Sequence, residues 1–239
     1  MLLRNINYAE KSLSTILEKA MKGITSEQIE VGQALYTKPF LSIYDWFALG
    51  LNCRFVWKCP SYHMLELYNQ HVSANHLDIG VGTGYFLDHC RFPTTNPRIA
   101  LMDLNPNCLD VAGRRLARYA PEKYLRNALE PIEINAPGFD SVGILNLLHC
   151  LPGTFKTKGI VFEHLKALLN TGGVIFGSTI LYGGVRQNPL STFILNRVNV
   201  RGFMNNKTDD LEGLRHNLEK YFSESYIEVI GCEALFWCK

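Results

Sequence analysis

From residue 75 onward, short apolar runs alternate with stretches whose apolar residues return every three or four positions. The runs "HLDIG", "RIALMDL", "FDSVGILNLLHCL" and "GVIFGSTIL" predict strands buried on both faces. Between and after them, "PNCLDVAGRRLARYA", "GIVFEHLKALLN" and "DDLEGLRHNLEKYF" have the helical period. A short helix from about Tyr85 to Cys90 and a short strand at "KYLRNA" complete the series. This alternation predicts an α/β fold with a mostly parallel sheet covered by helices on both faces. The final runs "YIEVIGC" and "ALFWC" lie too close together for a crossover, so they predict a hairpin and one antiparallel strand. Between residues 127 and 138, Pro131, Pro137 and Gly138 argue against a helix.

Before residue 73 the pattern differs. Leu13, Ile16, Leu17 and Ala20 mark one helix over residues 7–22, ended by Gly23, with Ser26 suited to cap the next. Residues 36–68 are rich in aromatics and read as short helices broken by Pro39, Gly50 and Pro60. The expected organisation is a helical segment over 1–72 followed by a ligand-binding domain over 73–239. Residues 181–208 form a long irregular insertion after the fifth strand. Ligands of open α/β sheets bind beyond the carboxyl ends of the strands, where such an insertion covers them.

Composition narrows the function. Of 239 residues, 47% are hydrophobic and 19% charged, as in an ordinary globular domain. With 24 Lys and Arg against 22 Asp and Glu, the net charge of +2 favours neither nucleic acid nor an anionic membrane surface. The opening "MLLRNINYAEKSLS" lacks the apolar core of a signal peptide, and no run approaches a membrane span. The seven cysteines form no CxxC pair and sit at no metal-ligand spacing, so they are expected as reduced thiols in a cytoplasmic protein without a metal.

The stretch "HLDIGVGTG" carries the chemistry. Gly80, Gly82 and Gly84 are spaced G-x-G-x-G, and Tyr85 stands where a dinucleotide fingerprint needs its third glycine. Asp78 before the turn would repel a pyrophosphate but favours an ammonium group or hydroxyl donors. Asp103 ends the second strand, where a carboxylate accepts from ribose hydroxyls, although Asp there also suits a helix cap. The turn therefore suits a nucleoside with a cationic tail and no phosphate.

With these residues in order, the chain from about 36 to 238 resembles the class I S-adenosylmethionine-dependent methyltransferases of the small-molecule type. "LDIGVGTG" resembles the family's first motif, and "LMDLNP" its ribose-binding strand end. "RNALE" occupies the adenine-contacting place, with Asn127 where Asp is frequent, and "LLNTGG" is similar to the family's L-x-P-G-G, with Thr171 replacing the proline. The resemblance implies a Rossmann-like seven-stranded sheet with an antiparallel last strand and an N-terminal helical lid. It implies that S-adenosylmethionine contacts Asp78, Gly80, Gly82, Thr83, Gly84, Asp103, Leu104, Asn127, Ala128, Asn146 and the ring of Tyr44. Asn127 equally suits a turn, and Asn146 a strand-end hydrogen bond.

On the acceptor side, His149 and Tyr182 follow strands four and five as catalytic or substrate-binding candidates; His149 also suits packing. Tyr36, Phe40 and Trp57 are candidates to line the acceptor pocket. The position after strand four reads N-L-L-H and lacks the Asn-Pro-Pro-Tyr type of base-directed and glutamine-directed enzymes. A small, apolar or aromatic acceptor is expected, methylated by in-line displacement in a monomer or homodimer. The alternatives are a binder of the same cofactor acting as a cyclase or partner subunit, and a nicotinamide enzyme, which Tyr85 disfavours.

Overall fold

In the computed structural model, which describes residues 26–134 and 136–239, seven strands form one sheet in the order β3-β2-β1-β4-β5-β7-β6. The strands are β1 (Asn75–Ile79), β2 (Arg98–Asp103), β3 (Glu122–Leu125), β4 (Phe139–Leu145), β5 (Leu169–Ile180), β6 (Ser225–Ile230) and β7 (Glu233–Cys238). β1 to β5 pair in parallel, and β7 runs antiparallel to both β5 and β6. β1, β2, β4 and most of β5 are buried on both faces, which explains their unbroken apolar runs. The edge strand β3 alternates instead.

One apolar cluster lies on each face. Leu77, Ile79, Val142, Ile144 and Phe236 pack under the helices Ile160–Lys166 (α7) and Leu211–Tyr221 (α9). Leu101, Phe86, Tyr68 and Phe176 pack under Tyr62–His71 (α3), Tyr85–His89 (α4) and Pro106–Arg115 (α5). α7 stops at Lys166, earlier than its periodicity suggests, because Leu169 already pairs with Phe139 of β4. A single turn, Phe155–Lys158 (α6), precedes it.

The N-terminal region departs from expectation. The helix predicted over residues 7–22 lies outside the described residues. The described chain opens with Ser26–Gln33 (α1) and Lys38–Tyr44 (α2). Pro39 does not break a helix but lies in the first turn of α2, where its missing N–H costs nothing. Gly50 does not interrupt either: Asp45–Val56 continues through it in wide π-type turns, burying Leu49, Cys53 and Val56. The insertion 181–208, expected to be irregular, contains a three-turn helix, Pro189–Val200 (α8). Asn188 caps it, its Oδ1 accepting from the N–H groups of Leu190 and Ser191 at 3.0 Å each. No helix of the described residues is long and apolar enough to cross a membrane.

Candidate active site

The chain leaves β1 through Gly80, Gly82 and Gly84, all at positive φ. Each does something different. A Cβ on Gly84 would meet Ala112 and Leu116 of the α5 region at 3.1–3.3 Å, so this glycine lets two segments touch. A Cβ on Gly80 would press on Leu147. A Cβ on Gly82 would meet no protein atom within 4 Å, because it would stand in the cleft.

That cleft, about 860 Å³, opens beyond the ends of β1, β2 and β4. Gly80, Gly82, Asp103, Leu104, Asn127, Ala128, Asn146 and Tyr44 line it together. Asp103 Oδ1 accepts from the N–H of Asn105 at 2.8 Å, and Oδ2 from that of Gly82 at 3.3 Å. Burial nevertheless pushes its carboxyl up to about 6, against the pull of these N–H donors. Asn105, not Asp103, caps α5, through Oδ1 to the N–H of Asn107. Asn127 Oδ1 accepts from the N–H of Leu129, so the residue shapes the turn while lining the cleft. Asn146 has φ 55°, and its Oδ1 accepts from the Ser178 hydroxyl at 3.3 Å.

Three expected contacts do not reach the cleft. Asp78 lies beneath the turn, where its buried carboxylate accepts from the Tyr68 hydroxyl. Gly84 serves the packing just described. Thr83 donates to Asp45 Oδ1 at 2.5 Å, and Arg115 bridges Asp45 Oδ2 at 2.6 Å and the Thr83 hydroxyl at 3.2 Å. Arg115 thus ties the start of the π-type segment to the glycine turn.

A second cavity, about 790 Å³, lies between the N-terminal helices and α8. It shares Tyr36, Tyr44, Asn146 and Cys150 with the cleft, so the two spaces meet at these four residues. Tyr36, Phe40 and Tyr44 form a mutual aromatic cluster, centroids 5.8–6.5 Å apart, and the buried Trp57 contributes to the lining. The rest is chiefly Leu, Ile, Val, Phe and Met. Tyr182 is not part of this wall: its hydroxyl donates to Asn196 of α8 at 2.9 Å.

His149 does line the second cavity. Its Nδ1 accepts from the N–H of Ile180 at 3.1 Å, and its carbonyl accepts from the N–H of Asn205 at 2.8 Å. Burial, aided by nearby Lys158, lowers its pKa to about 3. Lys158 is itself fully buried, 2.5 Å from Asp209. Cys150, Asp45 and Tyr68 were not singled out from sequence. Cys150 follows directly from the reading of His149; the other two act on residues 38 and 10 positions away and carry no local signal.

The strand ends thus hold a glycine turn and a cleft into which the Asp103 carboxyl faces, and a second, largely apolar cavity abuts it. Comparison with known proteins shows the family. Residues 77–175 match a methyltransferase domain model. The chain is 39% identical to demethylluteothin O-methyltransferase of Streptomyces thioluteus, over 89% of this chain and 93% of that protein. It is 39% identical to the physcion biosynthesis cluster O-methyltransferase of Aspergillus chevalieri, over 87% and 94%. Among solved structures, a DhpI–SAH complex shares the fold at a TM-score of 0.62 and 16% identity, over 90% of this chain and 98% of that one. The chain belongs to the class I S-adenosylmethionine-dependent methyltransferases, with S-adenosylmethionine as its methyl donor. The cleft fits that group: Gly82 leaves open the space a side chain would fill, and Asp103 turns a carboxylate into it.

Proposed function

We propose that the chain methylates an oxygen of a small, apolar or aromatic acceptor held in the second cavity. The observation that carries this reading is the meeting of the two cavities at Tyr36, Tyr44, Asn146 and Cys150. When bound in the cleft, the sulfonium supplies an already activated methyl group. Asp103 would accept from the ribose hydroxyls, and Gly80 and Gly82 would let the backbone approach. Leu104, Asn127 and Ala128 would hold the adenine, and Asn146 and Tyr44 line the junction, where a ring face would favour a cation. The protein's task is then alignment and exclusion of water, which supplies roughly 7–11 kcal/mol in well-oriented systems.

Residues 26–71 and α8 act as the lid over the acceptor. The triad of Asp45, Thr83 and Arg115 supports this, since it joins the lid to the cofactor turn. An oxygen acceptor is supported by the two relatives, both named O-methyltransferases. Calorimetry with S-adenosylhomocysteine should give micromolar binding and none with NADH. Labelled donor with a panel of phenols should yield methylated product by mass spectrometry. Binding without any methylated product would support the non-transferring alternative instead.

A further inference from the structure

We propose that the acceptor enters as an acidic hydroxyl, a phenol or enol already ionised, and that His149 meets its oxygen as an N–H donor instead of removing a proton. The inference rests on reading the second cavity as the acceptor pocket. A histidine base needs a free ring nitrogen lone pair. In neutral imidazole one nitrogen carries hydrogen and the other accepts. Here the accepting nitrogen is Nδ1, engaged by the Ile180 N–H at 3.1 Å, so Nε2 carries the hydrogen. Protonation would set Nδ1–H against the Ile180 N–H, two donors face to face. Turning the ring away would leave a buried N–H of β5 without its partner. Among the described residues no hydrogen bond engages Nε2, and His149 lines the cavity, so this hydrogen can meet a ligand there.

The other titratable groups at this wall are equally unsuited. Tyr36 and Tyr44 from α2 and its approach, and Cys53 from the π-type segment, are all held neutral well above their ordinary ranges. Cys150, beside His149, is pushed up to about 11 by burial. Lys158 lies behind the wall and is committed to Asp209. Among the described residues lining the cavity there is no Asp, Glu, Lys or Arg. What the cavity does offer is donors in an apolar setting: the imidazole N–H, the tyrosine hydroxyls, and the amides of Asn52 and Asn146.

This arrangement holds an oxyanion whose charge is balanced by the neighbouring sulfonium. The oxygen lone pair forms the new C–O bond while the C–S pair returns to sulfur. One anion and one cation become two neutral molecules, and no proton has to be accepted.

The test uses 4-nitrophenol, whose absorption distinguishes phenol from phenolate, bound to the protein with a non-transferable cationic analogue of the donor. The probe should bind as phenolate, its pKa lowered by at least one unit, and His149→Phe should abolish that shift. His149→Gln, which keeps a donor, should retain part of it. Nitrogen-15 NMR of the unmodified protein should show His149 neutral, with hydrogen on Nε2, throughout pH 5–9. At pH 7, 4-nitrophenol should be methylated roughly a hundredfold faster than unsubstituted phenol, whose pKa is near that of tyrosine. Binding of the neutral phenol, titration of His149 near pH 7, or equal turnover of the two phenols would each overturn the inference. S-adenosylhomocysteine affinity unchanged in the His149 variants keeps this result separate from the proposed function, which fails only if that ligand does not bind or no acceptor is methylated.

Discussion

Replacing Asp103 with Asn separates a ligand-binding carboxylate from a structural one. Its oxygens already accept the N–H groups of Asn105 and Gly82, at 2.8 and 3.3 Å. Each oxygen keeps a second lone pair for a ligand hydroxyl. The amide preserves the shape but has one accepting oxygen, and its NH₂ must face one of the two backbone donors. The variant therefore loses one charge-assisted bond to the ribose, worth roughly 1.5–3 kcal/mol. By calorimetry, S-adenosylhomocysteine should bind about 13- to 160-fold more weakly. The pH dependence sharpens the test. Burial raises the carboxyl from 3.8 to about 6. Wild-type affinity should fall as pH drops through about 6, because the ligand must then displace a proton; the Asn variant should lack that step. Stability moves the other way. A raised carboxylate takes its proton in the native state first, so its stabilising contribution is full near pH 4 and lost by about pH 6. Without ligand at pH 8, relief of the buried charge offsets the backbone N–H bond that the amide loses, so Asp103→Asn should be about as stable as wild type in urea. Affinity within twofold of wild type, or lost affinity that tracks lost stability, would refute the assignment.

Gly82→Ala should fold, at a cost of about 1–2 kcal/mol for the left-handed backbone, yet bind S-adenosylhomocysteine at least tenfold more weakly, since the new methyl stands in the cleft. Comparison of urea midpoints with calorimetry checks both halves. Lys158→Met strands the buried Asp209 carboxyl without its partner and should cost about 3–5 kcal/mol; Lys158→Met with Asp209→Leu should recover most of it. Melting temperatures should drop by roughly 6–20 °C in the single variant, and a drop below 2 °C would count against the pair. Glu233, buried at the start of β7, is pushed up to about 7, so its ionisation destabilises the native state as pH rises from about 4.5 to 7. Glu233→Gln should exceed wild type in urea midpoint at pH 8 and converge with it near pH 4.5.

The sheet was legible because β1, β2, β4 and β5 are covered on both faces, and two-sided burial leaves an uninterrupted apolar run in the sequence. The cofactor side was legible for a related reason. A positive φ at Gly80 and Gly82 and a carboxylate at a strand end are local requirements, met by residue types that few other roles select. The lid was not. Pro39 is read as a breaker or a starter according to whether the preceding residue caps, and Thr37 does so through a 3.5 Å bond from Phe40 that spacing alone does not reveal. Gly50 is tolerated inside the π-type segment, whose inner face is anchored by Leu49, Cys53 and Val56 and whose start is pinned by Arg115. Packing there outweighs the roughly 1 kcal/mol that glycine costs a helix.

The second cavity, proposed to hold the acceptor, shows why residue type is a weaker guide than environment. An imidazole after a strand suggests a proton acceptor because its ordinary pKa lies near neutrality. In this fold the same ring is buried, receives an N–H from a residue 31 positions later, and carries a pKa lowered to about 3. The hydrogen bond follows from where β5 ends and the lowered pKa from burial near Lys158, and the H-C-L stretch encodes neither. Tyr182 is diverted in the same way, by Asn196 of a helix the insertion was not expected to contain. Local pattern therefore identifies the half of the site whose job is to fit a backbone around a ligand. The half whose job is chemistry depends on which donor reaches which lone pair across the fold, and only the assembled structure specifies that.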